Sequence, residues 1–153
     1  MLRVSLLLLA TAMLIGCEIV GSTDEADLND VLRIETDAAA YTVNQSATVT
    51  VTNISNAPIF RNLCMPVALE AFADDALVAT VDYPTCLALG RIDLAPGASE
   101  TGTFLIEVPE WHDGSFPISN RHQYRLRMQF FRDADMQLPF PDDVASTNFF
   151  DVR

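Results

Sequence analysis

The sequence predicts an all-β chain folded as an antiparallel sandwich of about seven to nine strands. Three observations carry that expectation. Apolar and polar residues alternate in short runs, turn residues separate the runs, and no segment has the apolar spacing of a helix. Leu32 and Ile34 alternate with Arg33 and Glu35. Tyr41, Val43, Ala47, Val49 and Val51 then share one parity, with Thr48, Thr50 and Thr52 on the other. Residues 53–58, rich in Asn, Ser and Pro, form a turn into a run at 59–63. Val67, Leu69 and Ala71 alternate with Ala68 and Glu70, and Asp74-Asp75 reads as a hairpin turn. Shorter runs follow at 76–81 and 87–93, then the turn Leu94-Ala95-Pro96-Gly97, with proline ahead of glycine. Phe104, Ile106 and Val108 share a face. Tyr124, Leu126, Met128 and Phe130 do the same, opposite Arg125, Arg127 and Gln129, and a last strand is expected at 147–152. Strand parity places Val49, Val51, Phe104, Ile106, Tyr124, Leu126 and Met128 in the core. Residues 109–121 and 133–145 carry Pro, Gly, Asn and Asp and read as long loops, where function usually sits.

The passage 31–60, with T-V-T-V-T-N-I-S-N-A-P-I at its centre, and then L-A-P-G-A-S and Y-R-L-R-M, resembles bacterial immunoglobulin-like or fibronectin-III-like domains. That resemblance covers most of residues 31–152. It implies an immunoglobulin-like topology in which Tyr124 opens the penultimate strand as a tyrosine corner, its hydroxyl bonded to upstream backbone. Cys64 and Cys86 depart from the positions of the antibody inter-sheet pair, and no tryptophan stands between them. The N-x-S turn, L-x-P-G and a late Trp also resemble the intracellular-proteinase-inhibitor type of bacterial sandwich, by analogy alone.

Before the strands, Met1 to Arg3 gives a short positive start and residues 4–15 an apolar run, followed by Gly16 and Cys17. The run is too short to cross a bilayer as a helix, which takes about twenty apolar residues. Ala10-Thr11-Ala12 offers an ordinary small-x-small cleavage site, but cutting there would strand Met13, Leu14 and Ile15 at an exposed terminus. Leu14-Ile15-Gly16-Cys17 resembles a bacterial lipobox, and cutting before Cys17 removes them all. The resemblance implies a signal peptide at 1–16 and a diacylglyceryl thioether on Cys17. Residues 17–30 then form the lipidated end and an acidic tether without periodicity, and 31–153 the sandwich. The expected location is the bacterial envelope, at the outer membrane or cell surface, with the membrane as a partner through the anchor.

Lipidation of Cys17 leaves Cys64 and Cys86, and in an oxidising compartment an even remainder reads as a disulfide. A loop of that size contributes about 3 kcal/mol on the chain-entropy model. A metal or redox pair is the alternative, but no C-x-x-C spacing exists and only His112 and His122 offer nitrogen ligands.

The formal charge of -12, with no lysine in the chain, argues against nucleic acid as a partner. It also opposes adhesion to anionic headgroups by surface charge. Ser115 and Ser119 lie between the two histidines, so a hydrolytic site can be drawn there, yet no G-x-S-x-G elbow accompanies them. Asp133, Asp135, Asp142 and Asp143 could offer oxygens to calcium, but the EF-hand pattern is missing, and loop carboxylates more often face water. The expectation is therefore a chain that is not an enzyme and carries no cofactor or metal. The segment E-W-H-D-G-S-F-P-I at 110–118 brings Trp111, Phe116 and Ile118 into a loop. They read either as a contact site or as a plug over the open end of the sandwich. In Phe149-Phe150 one ring must face away from the core if the segment is a strand. The function expected is an envelope lipoprotein with a non-catalytic binding or structural module, facing another envelope protein or a glycan. A protease inhibitor acting through the loop 109–117 is the second reading, and a hydrolase using His112 and His122 the third.

Overall fold

The computed structural model describes residues 30–83, 90–107 and 121–153. Ten strands occur among them: β1 (Leu32–Thr36), β2 (Ala40–Tyr41), β3 (Gln45–Asn53), β4 (Ile59–Asn62), β5 (Val67–Ala73), β6 (Ala76–Asp82), β7 (Arg91–Leu94), β8 (Ser99–Ile106), β9 (Gln123–Met128) and β10 (Asp151–Val152). No helix occurs among the described residues. The protein is an all-β, immunoglobulin-like sandwich. One sheet has the order β1-β3-β8 and the facing sheet β6-β5-β9, and all these pairings are antiparallel.

The threonine-rich strand β3 shows why the first sheet forms. β-branched residues fit a pleated, half-buried surface, and period two sends Ala47, Val49 and Val51 inward while Thr48, Thr50 and Thr52 look out. Register with β1 places Ile34 beside Val51, and register with β8 places Gly102 beside Val49. Across the core, Val67, Leu69, Ala71, Tyr124, Leu126 and Met128 supply the opposing face.

Two pieces join this frame. β2 pairs with β10 in parallel, so the sandwich is not wholly antiparallel as the alternation predicts. The parallel contact closes the domain by setting Tyr41 against the carboxy-terminal strand, where its ring meets Phe150 edge-on at 5.2 Å. β4 pairs with β7, and Phe60 bridges to Phe131.

Turns are chemically specified. Asp74 and Asp75 both have positive φ, 49° and 62°, and form the two-residue connection of a type I′ hairpin between β5 and β6. Asn53 is wholly buried yet fully used. Its Nδ2 donates to Ala57 O and Leu94 O, and its Oδ1 accepts from the amide and hydroxyl of Ser55. The N-x-S turn is thus held to the Pro96-Gly97 turn by one side chain, and Gly97 at φ 73° also donates to Asn53 O.

Several sequence expectations need correction. Val43 shares parity with the core residues but is exposed, because Asn44 at φ 67° turns the chain there. The expected final strand at 147–152 is ordered as a strand only over Asp151–Val152. Before it, Phe150 forms a bridge with Tyr124. Phe104 is half-buried against the core rather than inside it. On β5, Ala68 and Glu70 are buried along with their inward neighbours, so this strand is covered on both faces.

Candidate functional site

The outward faces of β5, β6 and β9 converge on a cluster that no single stretch of sequence displays. Glu70 lies directly opposite Arg125 across the β5–β9 pair. Its carboxylate is 4% exposed and accepts from Arg125 Nε at 2.8 Å and Arg127 Nε at 2.6 Å. Two guanidinium groups on one buried carboxylate make charge-assisted bonds, stronger than neutral ones. Arg127 also reaches toward Asp142 at 3.7 Å.

Held by Glu70, the Arg125 guanidinium lies over the Phe72 ring at 4.8 Å and within 5.9 Å of the Phe149 ring. The two rings meet edge-to-face at 5.2 Å. Such aromatic and cation–π contacts contribute about 0.5–1.5 kcal/mol each beyond area burial. Phe149 is 44% exposed while Phe150, one residue on, is 2% exposed and stacked near Tyr124. The doublet divides between surface and core, although only Phe150 is held there, by a bridge to Tyr124. Leu77, 53% exposed, sits opposite Phe72 in the β5–β6 register and extends the apolar surface to the β6 edge. The β-bulge between Ala71 and Phe72 accompanies this surface.

The residues singled out from sequence fall differently. Cys17, Cys86, Trp111, His112, Phe116 and Ile118 lie outside the described residues, as does Val108. Cys64 is disulfide-bonded, and the residue expected to pair with it, Cys86, is one of these. Tyr124 is fully buried on β9. His122 is half-buried with its ring 6.4 Å from that of Tyr124.

Two of the loop carboxylates bond backbone amides. Asp133 accepts from the amides of Gln137 and Leu138. Burial pushes its pKa up, and these amide bonds outweigh that and hold it below the ordinary value. Asp143 accepts from Val144 N. Among the described residues, no three His, Cys, Asp or Glu side chains gather as metal ligands would. Among the described residues, no helix is long and apolar enough to cross a membrane.

The fold and this surface together define a small immunoglobulin-like sandwich with a rigid aromatic and guanidinium platform on one sheet. No protein-family profile and no curated protein matches the chain. Among solved structures, the chain is similar to the alkylpurine DNA glycosylase AlkC of Pseudomonas fluorescens, bound to DNA with an abasic-site analog. The TM-score is 0.43 at 13% identity, over 80% of this chain and 30% of that one. It is also similar to the CARDB domain of a Pyrococcus furiosus protein in complex with di-metal ions, with TM-score 0.37 and 13% identity, over 80% of this chain and 87% of that one. A further likeness is to Spo0M, a sporulation control protein of Bacillus subtilis, with TM-score 0.41 and 12% identity, over 80% of this chain and 49% of that one. At these scores the likeness bears on neither activity nor ligand.

Proposed function

We propose that the chain is a lipoprotein of the bacterial envelope, tethered by a lipid on Cys17, and that its sandwich is a non-catalytic module that binds another envelope protein. One observation carries the binding role: Phe149 and Leu77 present apolar surface to solvent beside the half-buried Phe72, while Arg125, fixed on Glu70, lies over the two rings. Contact energy at interfaces concentrates in aromatic and arginine side chains. A platform already immobilised loses little side-chain entropy when a partner arrives. In the same reading Cys64 pairs with Cys86 and braces the sandwich, and the acidic stretch before Val31 spaces it from the membrane.

The anchor is tested by intact mass of the envelope-extracted protein, with Cys17→Ser as control. A diacylated Cys17 terminus is expected, and a free cysteine there overturns the tether. Binding is tested by placing a photocrosslinking residue at 149 or at 111 in cells. A discrete adduct from position 149, lost in Leu77→Asp, supports the platform. An adduct from 111 alone transfers the site to the 110–120 loop, and adducts from neither remove the binding role.

A further inference from the structure

A second feature lies between the sheets, lined by residues that the platform does not use. Where β8, an edge of the first sheet, faces β4 and the start of β5, the interior opens as a cleft of about 230 Å³. Its walls are Val49, Val51 and Phe104 on one side and Met65, Val67 and Met128 on the other. Gly102, which faces Val49 in register, leaves this wall without a side chain. A Cβ there would sit 3.1 Å from Phe104 Cε2. Glycine weakens a strand interior and commonly marks a close approach to the backbone, here that of the Phe104 ring, which forms part of the wall.

The rim is polar but already satisfied. Arg61 on β4 and Glu100 on β8 tie the two sides together through Nε–Oε1 at 2.6 Å and Nη2–Oε2 at 2.8 Å. Arg61 Nη1 donates to Asn62 O at 2.9 Å and Leu63 O at 3.4 Å. An anionic head would have to break the bidentate pair to gain the guanidinium, and it would approach a chain of formal charge -12. A neutral apolar group meets neither cost. A dry engineered cavity of about 150 Å³ holds benzene, and pockets for drug-sized ligands start near 300 Å³. This cleft lies between the two. Methionine thioethers on its walls adapt to flexible aliphatic shapes.

We propose that this cleft binds the aliphatic chain of a small neutral amphiphile, with the polar end left at the Arg61–Glu100 rim. The site is separate from the platform and does not depend on the lipid anchor.

The test is titration of the full chain, labelled at its methionine methyl groups, with 1-octanol and in parallel with sodium octanoate. The methionines report position: Met65 and Met128 line the cleft, Met136 does not, and Met1 and Met13 belong to the segment ahead of Cys17. Saturable shifts of Met65 and Met128 with octanol, at least about tenfold weaker with octanoate, are expected. Gly102→Val should weaken the octanol response about tenfold while its own spectrum stays dispersed. Should that variant unfold, the wild-type titration still decides. Shifts confined to Met1 and Met13, equal shifts at Met136, or octanoate binding as tightly as octanol would each overturn the proposal.

Discussion

The two sheets share one core but treat their outer faces differently. On the first sheet, β1, β3 and β8 turn Arg33, Glu35, Thr101 and Thr103 to water, and the outward threonines of β3 are half-buried. Each outward residue there has solvent for a partner, so its contribution is local. On the second sheet, β5 is buried through five consecutive residues, because the arginines of β9 and the ring of Phe149 fold over it. Once Glu70 is removed from water it depends on Arg125 and Arg127 for every hydrogen bond it makes. An outward face that is wet tolerates substitution, whereas one covered by its own side chains becomes a second, polar layer of packing.

The largest effects should come from the inner faces and should not distinguish the sheets. Ile106 on β8 and Leu126 on β9 are both fully buried. Replacing either by Ala should cost about 2–5 kcal/mol, from lost transfer energy plus the cavity left behind, as read by urea denaturation. A loss below half a unit for one of them would mean that the two faces do not share a core.

The outer faces should then separate. Glu70→Ala removes an acceptor bonded to two arginines, but both guanidinium groups reach solvent and can rehydrate, with side-chain exposures of 17% and 29%. A loss of about 2 kcal/mol is expected, below the cost of stranding a fully buried charge. Thr50→Ala, in the matching central strand of the first sheet, should change stability by no more than about 0.5 kcal/mol. Equal losses at the two positions would abolish the contrast between wet and covered faces.

A smaller effect, of opposite sign, is expected at the hairpin beneath the platform. Asp74 and Asp75 hold left-handed backbone that side chains adopt at a cost, and glycine at the second position is what a type I′ turn prefers. Asp75→Gly should raise stability by about 0.5 kcal/mol, net of the entropy that glycine loses on folding. A melting temperature that falls instead would show that the Asp75 side chain contributes more than its backbone strain costs.

The same contrast explains what the sequence could and could not disclose. Alternation in T-V-T-V-T reports a sheet with one wet face, because burial there follows parity directly, and the inward and outward residues of β3 are legible although its register partners are not. In V-A-L-E-A the same reading assigns Glu70 to solvent, since the arginines that cover it lie far along the chain and R-L-R displays only its own parity. The platform needs Phe72, Arg125 and Phe149 from three segments, and the cleft needs Gly102 beside Phe104 and Arg61 opposite Glu100. Each is a product of strand order, which period-two patterning does not encode. Turn chemistry was more local, so Asp74-Asp75 and the N-x-S turn could be placed, though not the burial of Asn53.

The smallest expected effect sharpens the comparison from the first sheet's side, because it tests a carboxylate that is exposed rather than covered. Asp37 follows β1 and accepts from the Tyr41 hydroxyl at 2.6 Å and from Thr48 N at 2.9 Å. The Tyr41 bond, then the Thr48 amide, hold its pKa below the ordinary 3.8, while burial pushes the Tyr41 hydroxyl up, aided by its bond to Asp37. A carboxylate with a lowered folded pKa stabilises the native state above its unfolded value, and that contribution is lost as pH falls through the folded value. Asp37 should therefore add to the slope of stability against pH only below about 3.8, with Asp133 adding in the same direction. Since Asp37 is open to solvent, the effect should be slight. Urea midpoints measured from pH 5 down to 2 for wild type and Asp37→Asn should run parallel above pH 4 and converge below it. Curves that converge instead between pH 5 and 4 would place the Asp37 pKa above its unfolded value and reverse the sign assigned to the Tyr41 contact.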